Sequence, residues 1–429
     1  MKPTRRDLLI GGAAATALGP SALASATAGR PDFLVVLLAE GGWDVTFLFD
    51  DKLSSNTIEG PEVDEIPTDP DDREVRSTYG GLSLLTNPVQ RPMVDDFFGQ
   101  WHTQRCVVHG LWMGSIAHDP CRFRILTGTQ LGTSPDLASI IGSELGQDLP
   151  LGSVDLSGWS LNGPLAATAG RVGANSQILP LIDPASTFTP TMAIGRPYPL
   201  YAPTAADRSE VETFAKARLQ ALRSRFGGTP RNDQRLDDLV ASLERAERFR
   251  TQGLGIIDDL TLGTQANLMS QTRMASSLLA NGLCRAVTID SRKDWDTHDA
   301  NVVQHGHYDA LFFGLGLLMD SLQQENILHR TLIAVVSEMT RTPAINAAAG
   351  KDHWGHTSAL LIGPSVRGST MLGATDDRLE SLPVDYSTGE VGGAKLNKYE
   401  NLNAGILELF DIDPGRWLPG VEPFRGIRA

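Results

Sequence analysis

The sequence predicts an α/β fold, a doubly wound and mostly parallel sheet with helices on both faces. Two patterns carry that expectation. Short apolar runs without alternation recur along the chain, as strands buried on both faces require, and stretches of helical spacing are interleaved with them. A third observation is that acids and histidines cluster just past the ends of those runs. In such a sheet, ligands collect beyond the carboxyl ends of the strands.

The first run, Phe33 to Leu38 in DFLVVLLAEGGWD, ends in a Gly-Gly turn and an acid, which puts the carboxyl end of the strand at Glu40 to Asp44. Residues 54–88 are polar, acidic and rich in Pro and Gly, and predict a surface insertion with room for a short hairpin. A second strand starts at Arg105 in RCVVHGLWMG and leads into HDPCRFRILTG, residues 118–128. From 150 to about 205 Gly, Pro, Ser and Thr dominate, which predicts an irregular cap. Between 205 and 250, ADRSEVETFAKARLQALRSRF and DQRLDDLVASLERAERFR flank GGTPRN with helical spacing and interspersed charge, a solvated helical hairpin that completes a cap region of 150–250.

A third helix over about 264 to 281 runs into the strand CRAVTID and the loop SRKDWDTHDAN. Leu311, Leu315, Leu318 and Leu322 then form one helical stripe, followed by a buried strand in TLIAVVSEMTRTP that ends at Ser337-Glu338, and by the strand SALLIG. No internal repeat interrupts this order.

The amino-terminal residues have a different character. TRRDLLIGGAAATALGPSALASA places Arg5-Arg6 ahead of a weakly apolar, Ala- and Gly-rich run and then small residues suited to cleavage. This is the pattern of a twin-arginine signal peptide, expected over residues 1–28 with cleavage after Ala24 or Ala28, and it names the twin-arginine translocase as a partner. The run is short for a membrane span, so a periplasmic or extracellular protein without a stable span is expected. About 400 residues remain, enough for one large α/β domain with insertions, expected over 29–429, or for two domains. The 37 basic against 51 acidic residues give a net charge of −14, which argues against nucleic acid as a partner. Cys106, Cys121 and Cys284 are the only cysteines and allow at most one disulfide.

Candidate ligands follow each strand end. They are Asp44 after the first, His118 after the second, Asp296 and His298 after AVTID, Glu338 after LIAVVS, and Asp352, His353 and His356 in GKDHWGH. Carboxylates and imidazoles converging from separate strands suit a divalent metal, one or two ions of zinc, calcium, magnesium or manganese. Blander roles exist for some of them. Asp44 after Gly-Gly can serve a turn or cap a helix, and His298 can cap local backbone. His305 and His307, which precede the Leu stripe, fit surface or capping positions. Glu338 resists a bland reading, because an acid at a buried strand end needs a partner.

These residues, in this order, are similar to the alkaline phosphatase and sulfatase superfamily, whose members bind one or two metals. HDPCRFRILTG resembles the sulfatase signature C-x-P-S-R-x-x-x-L-T-G at Pro120, Arg122, Leu126, Thr127 and Gly128, but His118 occupies the nucleophile slot. Formylglycine formation needs Cys or Ser there, so an ordinary sulfatase is not expected. Over essentially the full mature chain, the twin-arginine start, LAEGGWD, the His118 motif, WDTHD, SEMTRTP and GKDHWGH resemble an exported bacterial family, domain of unknown function 1501, itself similar to that superfamily. Met339-Thr340 departs from the usual acid-Phe-Gly-Arg pattern of that family.

The resemblance implies an alkaline phosphatase-like fold. It further implies that Asp44 and Glu338 hold one metal beside the slot and that Asp296, His298 and His353 serve a second, with Asp352 and His356 as further ligands or as partners of the ligands. His118 is then a ligand, a nucleophile or a general acid-base group, and Arg122 binds an anionic oxygen of the substrate or orients the slot residue. A salt bridge from Arg122 to the acid of the first strand is the competing structural role. The expected activity is metal-dependent hydrolysis of a phosphate or sulfate ester of a small molecule or polysaccharide. A non-catalytic binding or structural protein with the same fold and metal is the alternative.

Overall fold

A computed structural model describes residues 29–61, 69–171, 204–253 and 267–429, with the short pieces 192–193 and 196–197. The expected signal peptide, part of the 54–88 insertion and most of 172–203 lie outside the described residues. The strands are β1 (Phe33–Leu38), β2 (Val75–Tyr79), β3 (Leu82–Thr86), β4 (Arg105–Trp112), β5 (Ser153–Asp155), β6 (Ala169–Arg171), β7 (Met192–Ala193), β8 (Arg196–Pro197), β9 (Ala286–Asp290), β10 (Thr331–Val336), β11 (Thr340–Arg341), β12 (His353–Trp354), β13 (His356–Ile362) and β14 (Thr370–Leu372). The helices are α1 (Pro92–Gln100), α2 (His118–Thr127), α3 (Leu137–Leu145), α4 (Ala205–Phe226), α5 (Pro230–Gly253), α6 (Leu268–Ala280), α7 (Gln304–Gln324) and α8 (Tyr399–Leu409).

An eight-stranded sheet in the order β14-β4-β13-β10-β1-β9-β5-β6 forms the centre. All its neighbours pair in parallel except β13, which runs antiparallel to both β10 and β4. The start of β13 therefore comes to the same edge as the carboxyl ends of β1, β4, β9 and β10. That reversal delivers the GKDHWGH segment to the expected ligand-gathering edge.

The unbroken apolar run of β1 follows from its position between β9 and β10. Phe33, Val35 and Leu37 enter one core, and Leu34, Val36 and Leu38 enter the other. The first core is completed by α1, α6 and α7, where Leu311, Leu315, Leu318 and Leu322 are all buried. The second core takes α2, α3 and α8. Each of these side chains contributes roughly 1.5 to 3 kcal/mol through burial, and helices on both faces confirm the doubly wound class.

Two expected regions differ in extent. Within 54–88, β2 and β3 form a hairpin, but Ile58, Leu82 and Leu84 are buried in the first core, so this stretch is not simply a surface insertion. The cap region begins with β5 and β6, which belong to the main sheet. Their three-residue lengths are too short to leave a readable apolar run. The hairpin of α4 and α5 follows as read. All three cysteines are buried and unbridged.

Candidate metal centre at the strand ends

α2 begins at His118, directly after the extended residue Ala117, and ends at Gly128, whose φ of 70° closes the helix in the left-handed region. The surviving Gly of HDPCRFRILTG is thus a helix terminator, and the slot residue stands at the helix start. His118 Nδ1 lies 2.9 Å from Glu338 Oε1. A carboxylate only accepts, so Nδ1 carries the proton. The same Oε1 also accepts from the Gly41 amide at 2.8 Å. That hydrogen bond, assisted by the charges of Glu338, Asp296 and Glu40, raises the His118 pKa above its ordinary 6.5 against the opposing effect of burial. His118 Nε2 sits 3.3 Å from Asp296 Oδ2 without hydrogen-bond geometry, and Glu338 Oε2 is buried with no partner among the described residues.

Beside this pair, the loop after β9 and the start of β12 bring three acceptors together. His298 Nε2 and His353 Nε2 are 2.9 Å apart, and Asp296 Oδ1 is 3.2 and 3.0 Å from them. The other ring nitrogens are committed. His298 Nδ1 faces Asp352 Oδ1 at 2.9 Å and His353 Nδ1 faces the Ile116 carbonyl at 2.7 Å. Both of those partners only accept, so in the neutral rings the Nε2 lone pairs point at one another and at a carboxylate. Three such acceptor atoms could hold a cation between them. Donors each about 2.1 Å from an ion in octahedral coordination stand roughly 3 Å apart, as these do. A carboxylate or carbonyl behind each imidazole is also the usual means of fixing a metal-ligating tautomer.

Burial would raise the Asp296 pKa, but the His353 imidazole 3.0 Å away, the hydrogen bond from Arg341 and the guanidinium charge hold it down to about 2. Arg341 is fully buried and gives Nη2 to Asp296 Oδ1 at 2.8 Å, Nε to the Gly42 carbonyl at 2.8 Å and Nη2 also to the Gly41 carbonyl. It locks the Gly-Gly turn to the Asp296 loop.

The structure brings His118, Asp296, His298, Glu338 and His353 together, with Asp352 behind His298. It does not bring Asp44 or His356. Asp44 is fully buried, its Oδ2 2.9 Å from Lys351 Nζ and from Asn301 Nδ2, its Oδ1 capping a short 3₁₀ turn at Thr46. The glycines at φ 118° and 92° turn the chain so that Asp44 points into the protein. Glu40 stands at the site in its place, in one group with His118 and Glu338 whose ligand atoms all lie within 4.8 Å of one another. Burial and the neighbouring Glu338 raise the Glu40 pKa. His356 accepts from the Ser381 amide at 3.1 Å, and burial lowers its pKa to about 4.

Arg122 donates to Glu40 at 2.6 Å and to Asp119, and lies 4.0 Å over the Trp159 ring. It clamps Glu40, not Asp44, the acid expected after the first strand, so the salt bridge set beside substrate binding above forms with a different partner. His305 is buried against Arg91, with Nδ1 2.7 Å from Nη1, and is no surface residue, whereas His307 Nε2 donates to the Asp294 carbonyl at 2.9 Å. Glu40 and Arg341 escaped the sequence reading. Glu40 was signalled by its place directly after the first strand, ahead of Gly-Gly, and Arg341 by its place just past a strand-end acid.

A model of the family described as protein of unknown function (DUF1501) matches residues 32–422. The chain belongs to DUF1501. No curated protein matches the DUF1501 chain. Among solved structures, a sulfatase from Pseudoalteromonas sp. is 9% identical with a TM-score of 0.41, covering 94% of this chain and 73% of that one. The phosphonate monoester hydrolase of Agrobacterium radiobacter is 13% identical with a TM-score of 0.33, covering 92% of this DUF1501 chain and 78% of that one.

Proposed function

We propose that this DUF1501 protein is an exported metal-dependent hydrolase of phosphate or sulfate esters. The reading is carried by one observation, the convergence of His298 Nε2, His353 Nε2 and Asp296 Oδ1 within 3.2 Å, each imidazole backed by an acceptor. The buried, unpartnered Glu338 Oε2, beside Glu40, fits a second cation position. One or two divalent ions held there would polarise an ester oxygen and lower the pKa of a bound water. Export rests on Arg5-Arg6 and the run after them. Among the described residues no helix is long and apolar enough to cross a membrane.

The residues themselves divide the remaining work. The slot offers no hydroxyl or thiol, and Cys121, three residues on, is unsuited to attack, since burial pushes its thiol up to about 11 and the thiol donates to the Ser115 carbonyl. Water is therefore the nucleophile. His118, whose pKa is raised by its hydrogen bond with Glu338, keeps Nε2 without a hydrogen-bond partner among the described residues and supplies the proton for the leaving oxygen. Asp352 and the Ile116 carbonyl keep His298 and His353 in their ligating tautomers. Arg122 acts through Glu40 as a positioning residue.

His118 in place of a covalent nucleophile also suits the second reading, a metal-containing binding or structural protein without turnover. The mature protein, assayed with zinc, calcium, magnesium or manganese against an aryl phosphate, a phosphodiester and an aryl sulfate, separates the two. Turnover on at least one ester, reduced about 100-fold or more by His118→Ala, is expected for the hydrolase. Bound metal with no turnover on any ester would establish the second reading.

A further inference from the structure

The hairpin of α4 and α5 carries a surface that the strand-end site does not use. It is anchored through α5, where Phe249 is buried in the first core. One face of α4 is turned to α5, since Glu212 receives Arg250 at 3.1 Å and Arg223 pairs with Asp237. On the opposite face Val211 and Phe214 are 66% and 71% exposed, and Ala217 continues the stripe at helical spacing. Two large apolar side chains this exposed on one helix face are a mark of an interaction surface.

The charges bordering the stripe say which partner fits. Glu210 stands four residues before Phe214 and Arg218 four residues after it, both exposed and both on this face. An antiparallel copy of the same helix, related by a two-fold axis through Phe214, sets Phe214 against Phe214, Val211 against Ala217 and Glu210 against Arg218, each of the last two contacts occurring twice. Isologous pairing of this kind uses one patch on both copies and closes as a dimer. The small Ala217 lets the helices approach, the apolar centre supplies affinity, and the two charge pairs fix the antiparallel direction. A parallel copy would place like charges together.

We propose that α4 is a homodimerisation helix and that its occupant is a second copy of this chain in antiparallel register about Phe214. The full mature protein, followed by sedimentation equilibrium over a concentration series, should be a monomer–dimer system whose dimer weakens as salt rises. Phe214→Asp should weaken the dimer at least about tenfold, with an unchanged circular dichroism spectrum and thermal midpoint showing that the fold is intact. Glu210→Arg alone and Arg218→Glu alone should each weaken self-association, while the double variant, or an equimolar mixture of the two single variants, should restore it. A wild-type chain that stays monomeric throughout, or a dimer insensitive to Phe214→Asp, would overturn the proposal. Failure of the double variant and of the mixture to recover dimer would overturn the antiparallel register.

Discussion

At the scale of single residues, Asp44 and His356 show why a strand-end position does not by itself make a ligand. Asp44 neutralises the fully buried Lys351 and is saturated by Asn301 and Thr46. Asp44→Asn would leave a buried ammonium without its counter-charge, at a cost of about 3 to 5 kcal/mol. A urea midpoint lowered accordingly, with metal content per folded molecule unchanged, is the expected result. Loss of metal from a protein still folded would instead make Asp44 a ligand. His356 is held neutral by burial, with a pKa of about 4 against its ordinary 6.5. Between those values the unfolded chain binds the proton that the native chain excludes, so stability is full above pH 6.5 and falls as pH drops toward 4. That gap, at about 1.4 kcal/mol per pH unit, is worth at most about 3.5 kcal/mol. His356→Asn keeps an acceptor for the Ser381 amide and should flatten this acid limb in a series of thermal melts. An unchanged limb would place its cause elsewhere. The sequence showed which residue types gather at this edge, but not which side chains turn outward, because that depends on the φ values of Gly41 and Gly42 and on the buried partner Lys351.

At the scale of elements, the turn after β1 is the part that aligns the site. A Cβ on Gly41 would lie 2.6 Å from the Asp296 amide nitrogen, and its φ of 118° suits no other residue. Gly41 also gives its amide to Glu338, and its carbonyl accepts from Arg341. Gly41→Ala should therefore push the Asp296 loop away, costing about 1 to 3 kcal/mol in backbone strain and about 10- to 100-fold in metal affinity. Equilibrium metal titration beside a urea curve checks both, and wild-type affinity in this variant would show that the turn does not set the loop. This coupling was half legible. Gly-Gly after an apolar run announced a tight turn, whereas Arg341, which ties the turn to Asp296 across the sheet edge, is separated from both by long stretches of sequence. The α2 frame was legible because its start at His118 and its stop at Gly128 are local signals.

For the molecule as a whole, the alternation of strand and helix was enough to specify the doubly wound class, since each buried strand must feed two cores and its composition records that. β5 and β6 were not legible, since three residues inside a Gly- and Pro-rich stretch carry no period. The antiparallel direction of β13 was equally hidden, although it is what brings His353 to the edge where β1, β9 and β10 end. The proposed divalent cation lies at this edge, between Asp296, His298 and His353. Elemental analysis of the mature protein, equilibrated with each candidate metal and freed of excess, tests it directly beside His298→Ala and His353→Ala. Tightly bound metal near one or two ions per chain, reduced at least about 10-fold in affinity by either substitution with the fold preserved, is the result expected. A folded wild-type protein that retains none of the four metals would contradict it.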